Sequence, residues 1–345
     1  MSGVSELRTL LEQVLQVLDL SATEATGILR GLAEPETPAA LGGALLAALR
    51  AKGITADELR GFAQGMRELA RRPVVDESLR QRAIDIVGTG GDGSGSLNLS
   101  TGTALLVAAC GVPVIKHGNR SISSRSGSAD VLEKLGLELP LDATRAGECL
   151  IATGFTFLFA PHYHPAMKSI APVRHALGVR TVFNVLGPLT NPADPPYAVV
   201  GAFNEKTAEL MAGALAGLPG LRRALVLHGA AGWDEPTPLG PFTLFDVQAG
   251  RISRAVRDPL ELGFARCAAA ELAGGDAEHN ALALARVLRG EDRGAHRDAL
   301  LLGAALALEC AGIADTPTNA VALAARAVDD GRAAAVLDKI RRGGV

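Results

Sequence analysis

The sequence predicts an α/β protein in which a small all-helical domain precedes a larger α/β domain with a mostly parallel central sheet. Two observations predict it. Apolar residues recur at helical spacing through residues 4–72, and short apolar strands then alternate with helices. With 345 residues and 48% hydrophobic content, the chain is long enough to bury a sizeable core.

The first part of the chain shows the spacing of consecutive helices. Leucines and valines in residues 7–18 recur at i, i+3 and i+4, which places them on one helical face. Ser21 and Thr23 stand where a second helix can be capped, and Thr55 begins a later one. A proline ends this pattern, so residues 1–73 are predicted to form the small domain.

The rest of the chain alternates between strands and helices, a pattern typical of a parallel sheet with helices on both faces. Strands are predicted at residues 84–88, 112–116, 155–160, 197–203 and 223–229, and an antiparallel hairpin at 243–254. From about residue 276 the chain is helical and rich in alanine.

Composition argues against several classes of protein. The formal net charge is -3, whereas a dedicated nucleic-acid binder is usually more basic. The 4 cysteines are scattered without a CxxC pair, which favours buried thiols in a reducing compartment. The N-terminus lacks the pattern of a signal peptide, and no apolar run reaches membrane-spanning length. We therefore expect a cytoplasmic protein with neither nucleic acid nor membrane among its partners.

A glycine-rich turn follows the first predicted strand. Residues 88–93 read GTGGDG, and glycines there allow the backbone to direct several N–H groups at a phosphate. The turn matches G-x-G-x-x-G, but residues 112–117 lack the acidic partner of a dinucleotide site, and the next helix starts late, after residues 98–101. Taken alone, the segment could equally be a glycine turn with a purely structural role. The motifs beside it favour phosphate binding.

Ser100 and Thr101 fall at the start of an apolar helix, where the default role of either residue is to cap the helix. Capping is compatible with phosphate binding, because a helix N-terminus attracts anions. Asn98 and Ser100 also supply neutral oxygens that can ligate Mg²⁺.

A second polar segment, KHGNR at residues 116–120, follows the next predicted strand. Lys116 and Arg120 can neutralise a diphosphate, and the carboxyl end of a strand is where α/β sheets place ligands. Hydroxyl groups and backbone donors follow at Ser121, Ser123, Ser124, Ser126 and Ser128. A run of charged residues is more often simply a face exposed to solvent. The position of this run after a strand favours ligand binding instead.

Asp234 and Glu235 come after another predicted strand. Paired carboxylates there suit Mg²⁺, which takes one or two carboxylates together with water and substrate phosphates. An exposed acidic turn is an equally good interpretation of the pair alone.

The sequence carries no G-x-S-x-G or H-E-x-x-H motif of a nucleophilic or zinc-dependent catalyst. His117, His162, His164 and His228 are candidates for proton transfer, but none is assigned that role. The chain is better suited to positioning and electrostatic stabilisation.

Together these motifs resemble the anthranilate phosphoribosyltransferase family of class III phosphoribosyltransferases. The resemblance covers nearly the whole chain. It rests on GTGGD at 88–92, NLST at 98–101, residues 116–136, residues 173–192 and the Asp234–Glu235 pair, with GGDAEHNALALARVLRGE near the C-terminus.

The resemblance implies a nucleoside phosphorylase-like fold with the active site between two lobes. The small domain would comprise residues 1–73 joined by helices from about 163–190, and the large domain residues 74–162 and 191–345. Family members commonly dimerise through the small domain, so a homodimer is expected. Three prolines after Glu235 depart from the family pattern and leave the path of the loop after Glu235 open. A glycine at position 303 also departs from that pattern, and we expect it to cause a local difference in packing.

The resemblance also implies a reaction of tryptophan biosynthesis. The amino group of anthranilate would be joined to C1 of 5-phospho-α-D-ribose 1-diphosphate, with release of pyrophosphate and with Mg²⁺ as cofactor. The residues implied to contact the diphosphate substrate are Gly88, Gly91, Asp92, Ser96, Asn98, Leu99, Ser100, Thr101, Lys116, His117, Gly118, Asn119, Arg120, Ser121, Ile122, Ser123, Ser124 and Ser128. Those implied for anthranilate are Gly88, Asn119 and Arg174, and those for Mg²⁺ are Ser100, Asp234 and Glu235. Lys116 and Arg174 are expected to act electrostatically.

Two kinds of alternative stay open. One is an enzyme of the same fold, either a pyrimidine nucleoside phosphorylase or a phosphoribosyltransferase for another aromatic amine or acid. The carboxylate pair and Arg174 argue against the phosphorylase, whereas one Arg and one Asn could recognise any small aromatic acid. The other is a nucleic-acid-binding paralogue, which the mildly acidic charge disfavours.

Overall fold

The computed structural model describes residues 3–121 and 125–342. Helices come first and a mostly parallel sheet with flanking helices follows, which confirms the predicted fold class. In the part of the chain so described, no helix has both the length and the apolar character needed to cross a membrane.

Four helices open the chain: α1 (Gly3–Leu15), α2 (Ala22–Ala33), α3 (Ala39–Lys52) and α4 (Ala56–Glu68). Ser21 and Thr55 both close capping boxes, each accepting a hydrogen bond from the backbone N–H of the glutamate three residues later. The predicted caps at Ser21 and Thr55 are therefore confirmed, whereas Thr23 lies inside α2.

Seven strands among the described residues form one sheet in the order β3-β2-β1-β4-β5-β6-β7. Their bounds are β1 Ile84–Gly88, β2 Val114–Gly118, β3 Phe155–Phe159, β4 Tyr197–Gly201, β5 Arg223–His228, β6 Phe242–Gln248 and β7 Arg251–Arg257. Pairing is parallel from β3 through β5, and the predicted hairpin adds β6 and β7 antiparallel at one edge.

The second strand lies two residues beyond its predicted position of 112–116. Gly111 turns the chain with a φ of 89°, and Pro113 has no N–H to donate, although its carbonyl accepts a bond from the Ile84 N–H at 3.0 Å. The shift places His117 and Gly118 inside β2 instead of in the loop after it.

The remaining helices are α5 (Glu77–Arg80), α6 (Leu99–Ala109), α7 (Ser128–Lys134), α8 (Ala143–Thr153), α9 (Ala160–Tyr163), α10 (Met167–Leu177), α11 (Phe183–Leu186), α12 (Glu205–Ala216), α13 (Ala277–Leu288), α14 (Ala295–Cys310), α15 (Pro317–Asp329) and α16 (Arg332–Arg341). Helices α6 and α14 pack closely, since a Cβ at Gly303 would lie 2.7 Å from Thr103 Oγ1. The glycine at 303 is thus explained by packing.

Two hydrophobic cores cover the two faces of the sheet. One contains α6 and the C-terminal helices, with Leu105 and Leu300 fully buried. The other joins α1–α4, α10, α11 and α12, and the Phe62 and Phe183 rings meet edge to face at 6.2 Å. Each such side chain contributes about 1.5–3 kcal/mol on burial.

Strands β1, β2 and β4 end side by side at Gly88, Gly118 and Gly201. The loops after them therefore gather at one edge of the sheet, which is where ligands bind in folds of this kind.

Candidate active site

A cavity of about 520 Å³ lies at this edge. It is lined by Gly88, Gly90, Gly91, Asp92, Gly93, Ser94, Gly95, Ser96, Leu97, Asn98, Leu99, Ser100, Arg125, Ser126, Arg180, Asp234, Glu235 and Gly275. The cavity thus joins the glycine turn, the start of α6 and the Asp234–Glu235 pair, three features that the sequence singled out separately.

The glycine turn has a backbone that other residues adopt only with strain. Gly90, Gly91, Gly93 and Gly95 all have φ between 61° and 73°. A turn built with such residues can direct successive N–H groups to one side, which suits an anion.

Asp234 packs against the ends of two strands. Its Oδ2 accepts a hydrogen bond from the Gly90 N–H at 2.6 Å. A Cβ at Gly88 would collide with the Asp234 carboxylate, and one at Gly201 would collide with the Asp234 backbone. Glycines at these strand ends therefore let Asp234 reach the glycine turn.

Glu235 is bonded to the start of α6. Its Oε1 accepts a bond from the Ser100 N–H at 3.1 Å, so a side chain distant in sequence satisfies this helix terminus. The expectation that Ser100 or Thr101 caps the helix is wrong. Asn98 occupies the N-cap position without a capping bond from its side chain, and Thr101 Oγ1 is buried with no partner among the described residues.

The two carboxyl groups have strongly raised pKa values. Burial, and then repulsion from Asp92, raises the pKa of Asp234 to about 7. Burial, and then repulsion from Asp234, raises the pKa of Glu235 to about 8. The ionised pair therefore needs positive charge nearby.

Lys116 supplies part of that charge from behind the cavity. Its side chain is only 2% exposed, and Nζ donates to the Ile86 carbonyl and, at 3.3 Å, to Ser100 Oγ. Burial lowers the pKa of Lys116 overall, although attraction to Asp85, Glu235 and Asp234 opposes that shift. Lys116 does not line the cavity. From its position it can hold Ser100 by a hydrogen bond and attract the two carboxylates.

His117 and His164 form a buried pair that does not line the cavity. Their Nε2 atoms are 3.1 Å apart. Burial lowers the pKa of His117 well below its usual value and lowers that of His164 to about 4, so both rings are neutral at pH 7.

The residues after β2 hold one another in place. Asn119 Oδ1 accepts the Arg120 N–H at 2.7 Å, and Ser128 Oγ donates to the Asn119 carbonyl at 3.2 Å. The Arg120 guanidinium pairs with Asp130 at 2.7 Å and with Glu133 at 2.6 Å, away from the cavity lining.

The other predicted contacts in this loop are only partly described. The Ser121 N–H donates to Asp130 Oδ2 at 3.3 Å. Ile122, Ser123 and Ser124, also expected to contact the diphosphate, lie outside the described residues.

Arg174 lies on α10, with its guanidinium 5.1 Å from the Phe183 ring centroid and no carboxylate partner among residues 3–121 and 125–342. Burial lowers its pKa. Arg174 does not line the cavity around the glycine turn, so the structure does not bring it together with the other predicted residues.

Sequence reasoning missed several cavity-lining residues, namely Ser94, Gly95, Leu97, Arg125, Arg180 and Gly275. Arg180 Nη2 donates to the Gly91 carbonyl at 3.4 Å, and its guanidinium lies 4.9 Å from the Phe203 ring centroid. Arg180 and Gly275 both lie in segments that carry the family resemblance, which is the signal that could have drawn attention to them.

The residues around the carboxylate pair fit Mg²⁺. The atoms available to bind a metal are all oxygens, as a hard cation prefers. They belong to the Asp234 and Glu235 carboxylates and the Ser100 hydroxyl. Within the described ranges, no three His, Cys, Asp or Glu side chains converge on a metal position. The pair therefore suits an ion that takes its other ligands from water and phosphate.

Two family models match the chain. The "Glycosyl transferase family, helical bundle domain" matches residues 8–70, and the "Glycosyl transferase family, a/b domain" matches residues 80–334. The fold and the two matches define a glycosyl transferase.

Relatives named anthranilate phosphoribosyltransferase resemble the chain over most of its length. That of Desulforudis audaxviator is 45% identical over 327 residues (95% of this chain and 93% of the relative). That of Methylobacterium nodulans is 47% identical over 321 residues (93% and 94%). The chain belongs to the anthranilate phosphoribosyltransferase family.

Solved structures of the same enzyme have the same fold. The crystal structure from Thermus thermophilus is 42% identical with a TM-score of 0.89, covering 96% of this chain and 98% of that one. The Saccharomyces cerevisiae enzyme in complex with PRPP and Mg is 25% identical with a TM-score of 0.87, covering 98% and 97%.

Proposed function

We propose that the chain transfers the phosphoribosyl group of 5-phospho-α-D-ribose 1-diphosphate, the donor, to the amino group of anthranilate, a step of tryptophan biosynthesis. The chain belongs to this family, and one observation of its structure supports the proposal most directly. A single cavity brings the positive-φ glycine turn together with the buried Asp234–Glu235 pair. A donor with several phosphates needs both the anion-binding amides and a cation held by carboxylates.

The glycine turn and the start of α6 would hold the donor phosphates. Gly91, Asp92, Ser96, Asn98 and Leu99 all line the cavity, where backbone N–H groups and the helix N-terminus favour anions. Contacts from residues 116–121 and from Ser128 stay predictions.

Asp234, Glu235 and Ser100 would hold Mg²⁺. When bound there, the ion supplies positive charge to the departing diphosphate. Lys116 supports this arrangement, because its Nζ bonds Ser100 Oγ and its charge attracts both carboxylates.

Arg174 and Asn119 would orient anthranilate. Arg174 has no carboxylate partner within the described chain, so it can pair with the substrate carboxylate in a charge-assisted hydrogen bond. Asn119 Oδ1 is engaged by the Arg120 N–H, which leaves the amide N–H₂ group to donate to the same carboxylate. Gly88 lines the donor cavity, and its contact with the acceptor ring stays a prediction of the family resemblance.

The chemistry needs no strong general base. The arylamine already has a free lone pair. Its attack on the face of C1 opposite the diphosphate forms the C1–N bond as the C1–O bond breaks, which inverts that carbon, and the surplus N–H proton passes to water. The histidine pair His117 and His164 is buried and neutral, and we assign it no proton transfer. The protein's contribution is therefore positioning and charge stabilisation.

Dimerisation, the domain division and the location of the protein are also proposed. An apolar groove of about 580 Å³ between α3 and α10, lined by Ala40, Ala44, Pro172 and Val173 among others, is where we place the contact of a homodimer. Sedimentation velocity would give a dimer mass for the wild type and a shift to monomer for Ala44→Glu. The domain division at about residues 73, 162 and 190, and a cytoplasmic location, stay predictions.

A pyrophosphate-release assay with a set of acceptors tests the proposal and separates it from its rivals. We expect Mg²⁺-dependent release with anthranilate and much less with aniline, which lacks the carboxylate, or with 4-aminobenzoate, in which it is displaced. Release with another aromatic amine alone would favour the alternative acceptor. Phosphate-dependent cleavage of a pyrimidine nucleoside would favour a phosphorylase.

A further inference from the structure

A hydrogen-bond network reaches the donor cavity from the C-terminal helices. Asn280, on the first turn of α13, is 1% exposed. Its Nδ2 donates to Asn98 Oδ1 at 2.8 Å and to Ser126 Oγ at 2.9 Å, and its Oδ1 accepts the Gly275 N–H at 2.7 Å. Asn280 itself does not line the cavity, but Asn98, Ser126 and Gly275 all do.

These bonds fix which end of the Asn98 amide can face a ligand. Asn98 Oδ1 accepts bonds from both Asn280 Nδ2 and, at 3.1 Å, Ser126 Oγ. Asn98 Nδ2 donates one proton to the Ser126 carbonyl at 3.3 Å. Since the oxygen is fully used, the group that Asn98 can offer to a phosphate is its second N–H, a donor, as an anion requires.

The backbone around Asn280 is equally well tied to the glycine turn. The Leu97 N–H donates to the Leu272 carbonyl at 3.0 Å, and the Gly274 N–H donates to the Gly95 carbonyl at 2.8 Å. A Cβ at Gly274 would lie 2.5 Å from the Ser96 carbonyl oxygen. The segment from Leu272 to Asn280 therefore supports the turn from behind.

We propose that Asn280 is a positioning residue for the phosphoribosyl diphosphate. It sets the orientation of the Asn98 amide, so that the second N–H of this amide faces the substrate phosphates, and it holds Ser126 against Asn98 at the edge of the cavity. The assignment rests on the proposed function and concerns the donor alone, because none of its bonds reaches Asn119 or Arg174.

Asn280→Ala tests the assignment through a difference between the two substrates. It removes both donors to Asn98 and Ser126. We expect the KM and the calorimetric Kd for phosphoribosyl diphosphate to rise about tenfold or more, with the KM for anthranilate within about twofold of the wild type.

Asn280→Asp is the second variant, for use if the alanine variant does not fold. Its side chain has nearly the same volume as that of asparagine. The aspartate keeps an acceptor for the Gly275 N–H but turns an oxygen toward Asn98 Oδ1, so we expect at least as large a loss of donor affinity. Thr316→Ala is the control. It removes the cap of α15, in the same C-terminal layer, and should lower the Tm without changing donor binding.

The outcomes are distinct. Donor affinity within about twofold of the wild type in a folded Asn280 variant overturns the assignment, as does an equal rise in both KM values, which indicates general loosening. A wild-type chain that binds no phosphoribosyl diphosphate in the presence of Mg²⁺ contradicts the proposed function itself, and the assignment with it.

Discussion

Two arginines close together in the sequence lie against phenylalanine rings, and their surroundings differ. Arg180 lies against Phe203 and lines the donor cavity, where it bonds the Gly91 carbonyl. Arg174 lies against Phe183, away from that cavity. At the scale of single residues, we therefore expect Arg174 to serve the acceptor and Arg180 the donor.

Arg174→Ala should therefore raise the KM for anthranilate roughly tenfold to a hundredfold, because the carboxylate loses a charged hydrogen-bond partner. The KM for the diphosphate should change little. Initial rates with each substrate varied in turn measure both values. Arg180→Ala, which also removes an arginine beside a ring, is the matched control and should affect mainly the donor. Equal effects of Arg174→Ala on both substrates would rule out its acceptor role.

Asp234→Asn and Glu235→Gln should each raise the Mg²⁺ concentration needed for half-maximal rate by about tenfold or more, since each removes a charged ligand. Titration of the rate with Mg²⁺ measures the change. Asp246→Asn is the control, because Asp246 pairs with Arg223 on the sheet away from the cavity. A Mg²⁺ dependence unchanged from the wild type in both cavity variants would exclude the metal role.

At the scale of elements, the active-site edge depends on close approach between loops. The sequence indicated the glycine turn, α6 and the carboxylate pair, because each has a local pattern. It did not indicate that Glu235 bonds the start of α6, because that bond joins residues 135 positions apart. For the same reason the sequence predicts that Ser100 caps α6. In the structure the distant Glu235 carboxylate satisfies this helix terminus instead.

Gly88→Ala tests this close approach. The new Cβ would displace the Asp234 carboxylate, so we expect a loss of activity of about tenfold or more and a loss of stability of about 1–3 kcal/mol. Rates at saturating substrate and urea unfolding measure the two effects. Gly27→Ala is the control, because a Cβ inside α2 would meet only Glu6 Oε1 at 3.9 Å. Full activity in Gly88→Ala would show that Asp234 does not need this position.

At the scale of the whole molecule, the sequence predicted the order of helices and sheet correctly, because hydrophobic periodicity reports local structure. The sequence did not predict contacts between residues that are far apart along the chain. Asn280 and Arg180 reach the cavity from distant segments, and His117 meets His164 across 47 positions. That pair links the end of β2 to the chain entering α10.

The histidine pair should make the fold sensitive to acid. The folded-state pKa of His164, about 4, lies below its ordinary value of 6.5, so the unfolded chain binds the proton more readily. Stability from this group is therefore complete above about pH 6.5 and is lost as the pH falls toward 4, by roughly 3 kcal/mol.

Urea unfolding of wild type and His164→Gln between pH 7 and 4 measures this contribution. The variant should lose less free energy of unfolding over the interval. His175→Gln, a change at an exposed histidine on α10, should follow the wild type. Parallel curves for wild type and His164→Gln would refute the buried neutral pair.

The loss of anthranilate fluorescence tests the central claim most directly. Purified protein mixed with anthranilate, phosphoribosyl diphosphate and Mg²⁺ should quench the fluorescence rapidly as the amine is consumed, and EDTA should stop the loss. Asp234→Asn should slow it at limiting Mg²⁺. Steady fluorescence from protein that still binds the diphosphate would contradict anthranilate as the acceptor.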